Sequence, residues 1–315
     1  MPMQKYILIL TRREYVGAFL KFVLTKQNLG FQVEFALVDD SSFSSFDKFK
    51  AFVRAKNPDA DQENAFFLLV GGSDFYYGIE QSLGDFQYAL CSESKGDRRM
   101  YCTVGRIPGR NIAEIEATCN NVLECGSVQK SQLNLLPITA VQENKDFWTS
   151  SFPQYPPLDT TSSASPVVSK AEVISRIERS NFILHMGHGS KSSLALRSKC
   201  RLKIDDFHKP QSGYLHIWAW ACSTCKDFGS LGENCLLQKK AVSFWGARDI
   251  TWRHLNKQSC KFFVQELDKL NGDTSIGEIY FKAVMLIPFN VHYWDILDNA
   301  MKYTFLGDPT MLVTV

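Results

Sequence analysis

No run of this 315-residue sequence approaches the roughly 18 consecutive apolar residues that a membrane-spanning helix needs. Charge of one sign is equally scarce. Thirty-five Lys and Arg stand against 33 Asp and Glu, for a net charge of +2, and the basic residues are scattered along the chain. That balance excludes the concentrated basic footprint of a nucleic-acid binder. A secretory leader is not apparent: the apolar stretch Tyr6 to Thr11 runs straight into Arg12 and Arg13, with no small-residue cleavage site. Low-complexity tracts and internal repeats are missing too. With 45% apolar and 22% charged residues, disorder is not indicated. The nine cysteines are odd in number and widely spaced, and Cys119, Cys235 and Cys260 sit inside apolar runs. Reduced, buried thiols of a cytosol fit that pattern better than a disulfide framework does. The expectation is a cytoplasmic protein with neither a nucleic-acid nor a membrane partner; its oligomeric state is open.

What is present is a regular alternation of strands and helices. Lys5 to Leu10 is a buried strand, and Val16, Phe19, Leu20 and Val23 have helical spacing before the stop signal Asn28-Leu29-Gly30. Phe31–Val38 alternates as a strand, and a helix over 44–56 ends at Asn57-Pro58. Phe66–Val70 and Thr103–Ile107 are further strands. A helix follows whose start carries a capping-box pair, Asn111 and Glu114, with Ile112, Ile115, Cys119 and Val122 as its buried stripe. After a polar link at 127–132 the rhythm resumes with a strand at 135–141, a helix at 170–179 and strands around 183–186, 215–221 and 241–245. Helices around 257–270 and 275–287, the latter capped by Ser275 and Glu278, precede a closing turn and strand at 304–313. The Pro/Ser/Thr-rich stretch 150–169 is too long for an ordinary connection and reads as a functional or mobile loop. This order predicts an α/β fold, a mostly parallel sheet covered by helices. Two portions are expected: an N-terminal α/β subdomain at 1–130 and a C-terminal catalytic one at 131–315.

Two strands end in reactive side chains. Ile183–Met186 leads into Gly187-His188-Gly189-Ser190, and Ile217–Ala221 leads into Cys222. If these strands are neighbours in a parallel sheet, imidazole and thiol emerge together at its carboxyl edge, where open α/β sheets place their sites. A thiol beside an imidazole ionises more readily and is the minimum apparatus of a cysteine nucleophile. The flanking glycines are expected to let the backbone turn sharply and approach a substrate. A rival reading takes His185, His188, Cys222 and Cys225 as a zinc set, two imidazoles and two thiols. Against it, residues three apart in a strand point to opposite faces.

These residues resemble the gingipain family of cysteine peptidases, in the caspase-like clan. The resemblance rests on Gly187-His188-Gly189-Ser190, the strand ending Ala221-Cys222, Phe228, Gly232-Glu233 and Val242–Ala247. It extends to Phe67–Gly71, Ser73–Gly78, Asp85–Tyr88, Val104–Pro108 and the closing Leu306-Gly307-Asp308-Pro309. It implies a caspase-like (gingipain-like) three-layer fold of two adjacent subdomains with mostly parallel sheets. It also implies an endopeptidase in which Cys222 attacks the scissile carbonyl, His188 protonates the leaving amine, and backbone N–H groups of Cys222 and Gly189 hold the oxyanion. Glu143, with Asp146 as the fallback, stands where the family has an acid that orients the histidine. Trp252 would form the aromatic wall of the primary specificity pocket, with Ser190, Gly246 and Ala247 near the substrate. Arg248 and Asp249 would narrow that pocket or set its charge; the residue that reads the substrate side chain is not identified, and Asp159 lies in the long loop where such a determinant could sit. The loop from Cys222 to Phe228 is about one residue longer than the family pattern, which leaves Cys225 as second-choice nucleophile. The partner implied is a protein or peptide substrate. No cofactor is required, though Asp85 with Asp74 could supply oxygen ligands for a structural calcium. Gingipains carry a leader, a pro-segment and further domains; here the expectation is a compact intracellular relative, or an effector delivered without a cleaved leader. Self-cleavage in the 150–169 loop is one route to activation. The alternatives are a catalytically silent peptide-binding relative and the zinc protein.

Overall fold

The computed structural model describes residues 5–37, 65–72, 84–89, 102–161, 168–197, 199–210, 213–285 and 299–315, with positions 48, 51, 52, 54 and 55 besides. The strands are β1 (Tyr6–Thr11), β2 (Gln32–Leu37), β3 (Ala65–Val70), β4 (Thr103–Ile107), β5 (Ser127–Gln129), β6 (Leu135–Thr139), β7 (Leu158–Asp159) and β8 (Phe182–Met186). They continue as β9 (Gly189–Ser190), β10 (Ser193–Arg197), β11 (Cys200–Leu202), β12 (His216–Trp220), β13 (Ser243–Ala247), β14 (Thr274–Ser275), β15 (Tyr303–Leu306) and β16 (Leu312–Thr314). Ten of them form one sheet in the order β2-β1-β3-β4-β15-β13-β12-β8-β6-β7. Neighbours in it are parallel except β13 with β15. The division expected near residue 130 does not interrupt this sheet, because β15 bridges β4 and β13.

Burial explains the apolar runs. All of β3, β4, β8, β12 and β13 are buried, as strands covered on both faces must be. Alternate residues serve opposite layers: Trp218 and Trp220 of β12 pack toward α6 (Arg253–Lys269) and α7 (Ile276–Met285), with Trp148 of α3 (Gln142–Ser151) in the same layer. Ile217 and Ala219 face the layer of α4 (Lys170–Ile177) and α5 (Leu231–Leu237). Beyond β4, α1 (Leu20–Asn28) and α2 (Ile112–Cys125) cover Ile7, Ile9, Phe66 and Leu68. The expected three layers are therefore formed, and many of the 23 phenylalanines are spent inside them. Trp218 stacks on Phe263 at 3.9 Å between centroids, and Trp245 on Tyr303 at 4.5 Å.

Local readings hold with informative exceptions. Arg13–Phe19 winds as a 3-10 helix before α1, so the phase shifts: Tyr15, Phe19, Phe22 and Val23 are buried while Leu20 is 52% exposed. Asn111 caps α2 by accepting from the Glu114 N–H, but the Glu114 carboxylate turns to Arg110 instead of closing the box. At Ser275 and Glu278 both halves of the box form. The helix expected over 44–56 lies largely outside the described residues.

Among the described residues two ion pairs are buried. Arg106 donates from Nε and Nη2 to the two oxygens of Asp85 at 2.8 and 2.7 Å, and from Nη1 to the carbonyls of Gly71 and Gly72. Asp85 is thus committed to a guanidinium, which makes it a poor calcium ligand; Asp74 lies outside the described residues. The second pair, Lys26 with Asp308, ties α1 to the closing Gly-Asp-Pro turn at 2.5 Å.

His185 and His216 are fully buried, and burial pushes their imidazoles down to about 4 and about 3. Each has one nitrogen partnered, by the Ala195 carbonyl and the Ser243 hydroxyl, and one buried with no partner. Folded, both stay neutral; unfolded, they take protons below about pH 6.5. Stability is therefore complete above about pH 6.5 and falls on acidification toward pH 4, by up to about 1.4 kcal/mol per pH unit for each histidine. Thermal unfolding across that window should show Tm falling with pH, and His216→Gln should flatten the slope. An unchanged slope in the variant would contradict this assignment.

Candidate active site

β8 and β12 are parallel neighbours in the register Met186↔Trp220, so the residues just beyond them come side by side at the carboxyl edge. Connections also change direction here, since the chain leaves β6 for the edge strand β7 and returns past it to β8. Ligands gather at such switch points. A cavity of about 380 Å³ opens at this edge, and His188 and Cys222 both line it.

Glycine brings the two loops together, by a different route from the one expected. Neither Gly187 nor Gly189 has a positive φ. What they supply is room. A Cβ on Gly189 would lie 2.6 Å from the Cys222 carbonyl oxygen and 2.9 Å from Ala221 Cβ; one on Gly187 would lie 2.7 Å from Ala140 Cβ. The loop carrying His188 therefore threads between the ends of β6 and β12, against the backbone of the nucleophile candidate.

Cys222 sits half-buried in a clamped turn. Ser223 adopts a φ of 58°, unusual for a residue with a side chain, and its N–H bonds the Asp249 carbonyl. The Cys225 N–H bonds the Ala247 carbonyl at 2.8 Å. The Thr251 N–H donates to Cys222 Sγ at 3.5 Å, and the Thr251 hydroxyl stands 3.7 Å from it. That hydroxyl accepts from Asn256 Nδ2 at 2.9 Å. Asn256 Oδ1 in turn accepts from Tyr303 and Asn299. Thr251 and Asn256 carried no signal in the sequence; only the fold brings the end of β13 over the thiol. The backbone N–H of Cys222 makes no hydrogen bond among the described residues.

Other expected residues are placed as follows. Cys225 is buried, and burial pushes its thiol well above the ordinary range, which weighs against it as the second-choice nucleophile. Gly246 and Ala247 are buried beneath the 222–225 turn and do not line the cavity; a Cβ on Gly246 would meet Thr224 Oγ1 at 2.3 Å. Ser190 bonds Ser193 in the β9–β10 hairpin. Trp252 is 52% exposed, while its neighbours Thr251 and Arg253 line the cavity. Arg248 is buried near Asp227, and Asp159 pairs with Lys145 at 2.8 Å; neither lines the cavity. Glu143 accepts from Arg253 at 2.6 Å and Asp146 from Gln142, so the expected carboxylate–imidazole contact with His188 is not formed. His185 is buried on the Ala195 carbonyl. Among the described residues no three His, Cys, Asp or Glu side chains gather as a metal site, so the four expected zinc ligands do not converge.

The sequence model of Peptidase family C25 matches residues 2–314. The chain belongs to that family. It is thus a cysteine-type peptidase of the gingipain kind, and a protein substrate follows from the family. Its fold is similar to the structure titled "Crystal structure of the Arg specific cysteine proteinase gingipain R (RGPB)", with a TM-score of 0.78 at 14% identity, covering 98% of this chain and 78% of that one. A complex of Porphyromonas gingivalis RgpB pro- and mature domains matches with a TM-score of 0.76 at 13% identity, covering 98% and 79%. A Saccharomyces cerevisiae separase–securin complex matches more distantly, at 0.50 and 10% identity over 79% of this chain and 16% of that one. No curated protein sequence matches. Among the described residues no helix is long and apolar enough to cross a membrane.

Proposed function

We propose that this C25 chain is an endopeptidase working through Cys222 and His188. The observation that carries this reading is the seating of Gly189 on the Cys222 backbone, which brings imidazole and thiol to one cavity from adjacent parallel strands. The Cys222 thiolate adds to the scissile carbonyl carbon, and the carbonyl π electrons move to oxygen. Backbone N–H groups of Cys222 and Gly189 hold that oxyanion, a contact typically worth about 3 kcal/mol. His188 gives its proton to the leaving amine as the C–N bond breaks, leaving a thioester. Water, giving a proton to His188, then adds to the thioester and expels the thiolate. The Thr251 N–H donates to the sulfur and its hydroxyl lies beside it, which supports a fixed position for Cys222 Sγ at the cavity. The free state of the eight described cysteines supports action in a reducing compartment, the cytoplasm or the interior of a target cell.

A pool of peptides from a digested proteome, incubated with the protein and read by mass spectrometry, tests this. New internal termini are expected. Products trimmed only one residue at a time from the ends would overturn endopeptidase action, and intact peptides would overturn the peptidase reading.

A further inference from the structure

The cavity beside Cys222 has a composition that selects among substrates. Its walls are Val141, Met186, Trp220 and Ile250. Its polar groups are mostly committed: Thr251 faces the sulfur, and Asn256 is held by Thr251, Asn299 and Tyr303. Among the described side chains of the lining, one buried acceptor is left without a partner, Asn144 Oδ1. Apart from His188, the only ionisable side chains on the lining among the described residues are the Cys222 thiol and Arg253. Arg253 is paired at 2.6 Å with Glu143, which lies outside the lining, both side chains being about half exposed.

Resting on the peptidase reading, we propose that this cavity receives the side chain on the acyl side of the scissile bond and takes an uncharged apolar one, of the leucine, methionine or phenylalanine class. Arg253 is the residue that turns basic side chains away. An ammonium or guanidinium entering the cavity would lose water to apolar walls, meet a guanidinium, and find one unpartnered side-chain acceptor for several donors. A leucine-sized group gives up apolar surface to apolar walls and meets no such penalty.

The test is kcat/KM for a peptide series varied only at that residue, for wild type and Arg253→Glu, with thermal unfolding to confirm that the variant folds. Wild type should favour Leu, Met or Phe over Arg and Lys by at least roughly tenfold. Arg253→Glu, which sets a second carboxylate beside Glu143, should raise the ratio of basic to apolar cleavage by roughly tenfold. A wild-type preference for Arg or Lys, or a profile indifferent to charge, would overturn the subsite assignment while leaving the peptidase reading intact. An unmoved ratio in the variant would overturn the role of Arg253. Absence of Cys222-dependent cleavage of every peptide would overturn the peptidase reading, and the subsite with it.

Discussion

Cys222→Ala should lower the rate of peptide cleavage by at least roughly a thousandfold, and His188→Ala by a comparable factor, if the two act as the proposed dyad. The two losses do not multiply. Nucleophile and proton carrier act as a unit, so the double variant should be about as slow as either single one. What remains above the uncatalysed rate comes from substrate binding and the oxyanion donors. Initial rates on one peptide substrate, with enzyme freed of contaminating peptidase, give all four corners of this cycle. Neither substitution should disturb the fold: Cys222 is half-buried at a loop and His188 is exposed, so Tm should move little. Multiplicative losses would mean that the two residues serve separate functions.

Gly189→Ala should cost roughly a hundredfold in kcat/KM although it removes no functional group. The added methyl group would sit 2.6 Å from the Cys222 carbonyl oxygen, 2.7 Å from Thr224 Cγ2 and 2.9 Å from Ala221 Cβ. Two of these are backbone or Cβ atoms of the neighbouring strand end, with nowhere to swing. The loops must part, carrying His188 away from Cys222. Overpacking of this kind typically costs about 1–3 kcal/mol of stability as well. The pattern that supports the placement is a large loss of activity with a modest fall in Tm. Full activity in Gly189→Ala would show that the two loops are not in contact.

The site was legible because its two reactive side chains end apolar runs. Ile183–Met186 and Ile217–Ala221 can only be buried strands, and the side chain after such a run emerges at a sheet edge. The rest of the site was hidden by its dependence on tertiary contacts. The role of glycine at 187 and 189 read as a turn, but the positions are about clearance from Ala140 and Cys222, which no local pattern encodes. Thr251 sits in the connection between β13 and α6, and Arg253 opens α6; both acquire meaning only because β13 pairs beside β12. Gly246 and Ala247 matched the family pattern yet are spent on packing beneath the Cys222 turn. Similar limits apply to the fold. Alternation and capping located the helices, whereas the insertion of β15 between β4 and β13 joins segments far apart in sequence. Arg106 looked like an ordinary residue in an apolar strand, and its burial is tolerable only because Asp85 and two carbonyls satisfy it.

The most direct test treats the protein with a peptidyl chloromethyl ketone carrying leucine or phenylalanine at the reactive end, then maps the modified residue by mass spectrometry. One adduct at Cys222, formed far more slowly by His188→Ala, is the result that fits a thiol and an imidazole meeting at one cavity. Alkylation at Cys225 or another cysteine with Cys222 unmodified, or labelling indifferent to the loss of His188, would contradict it.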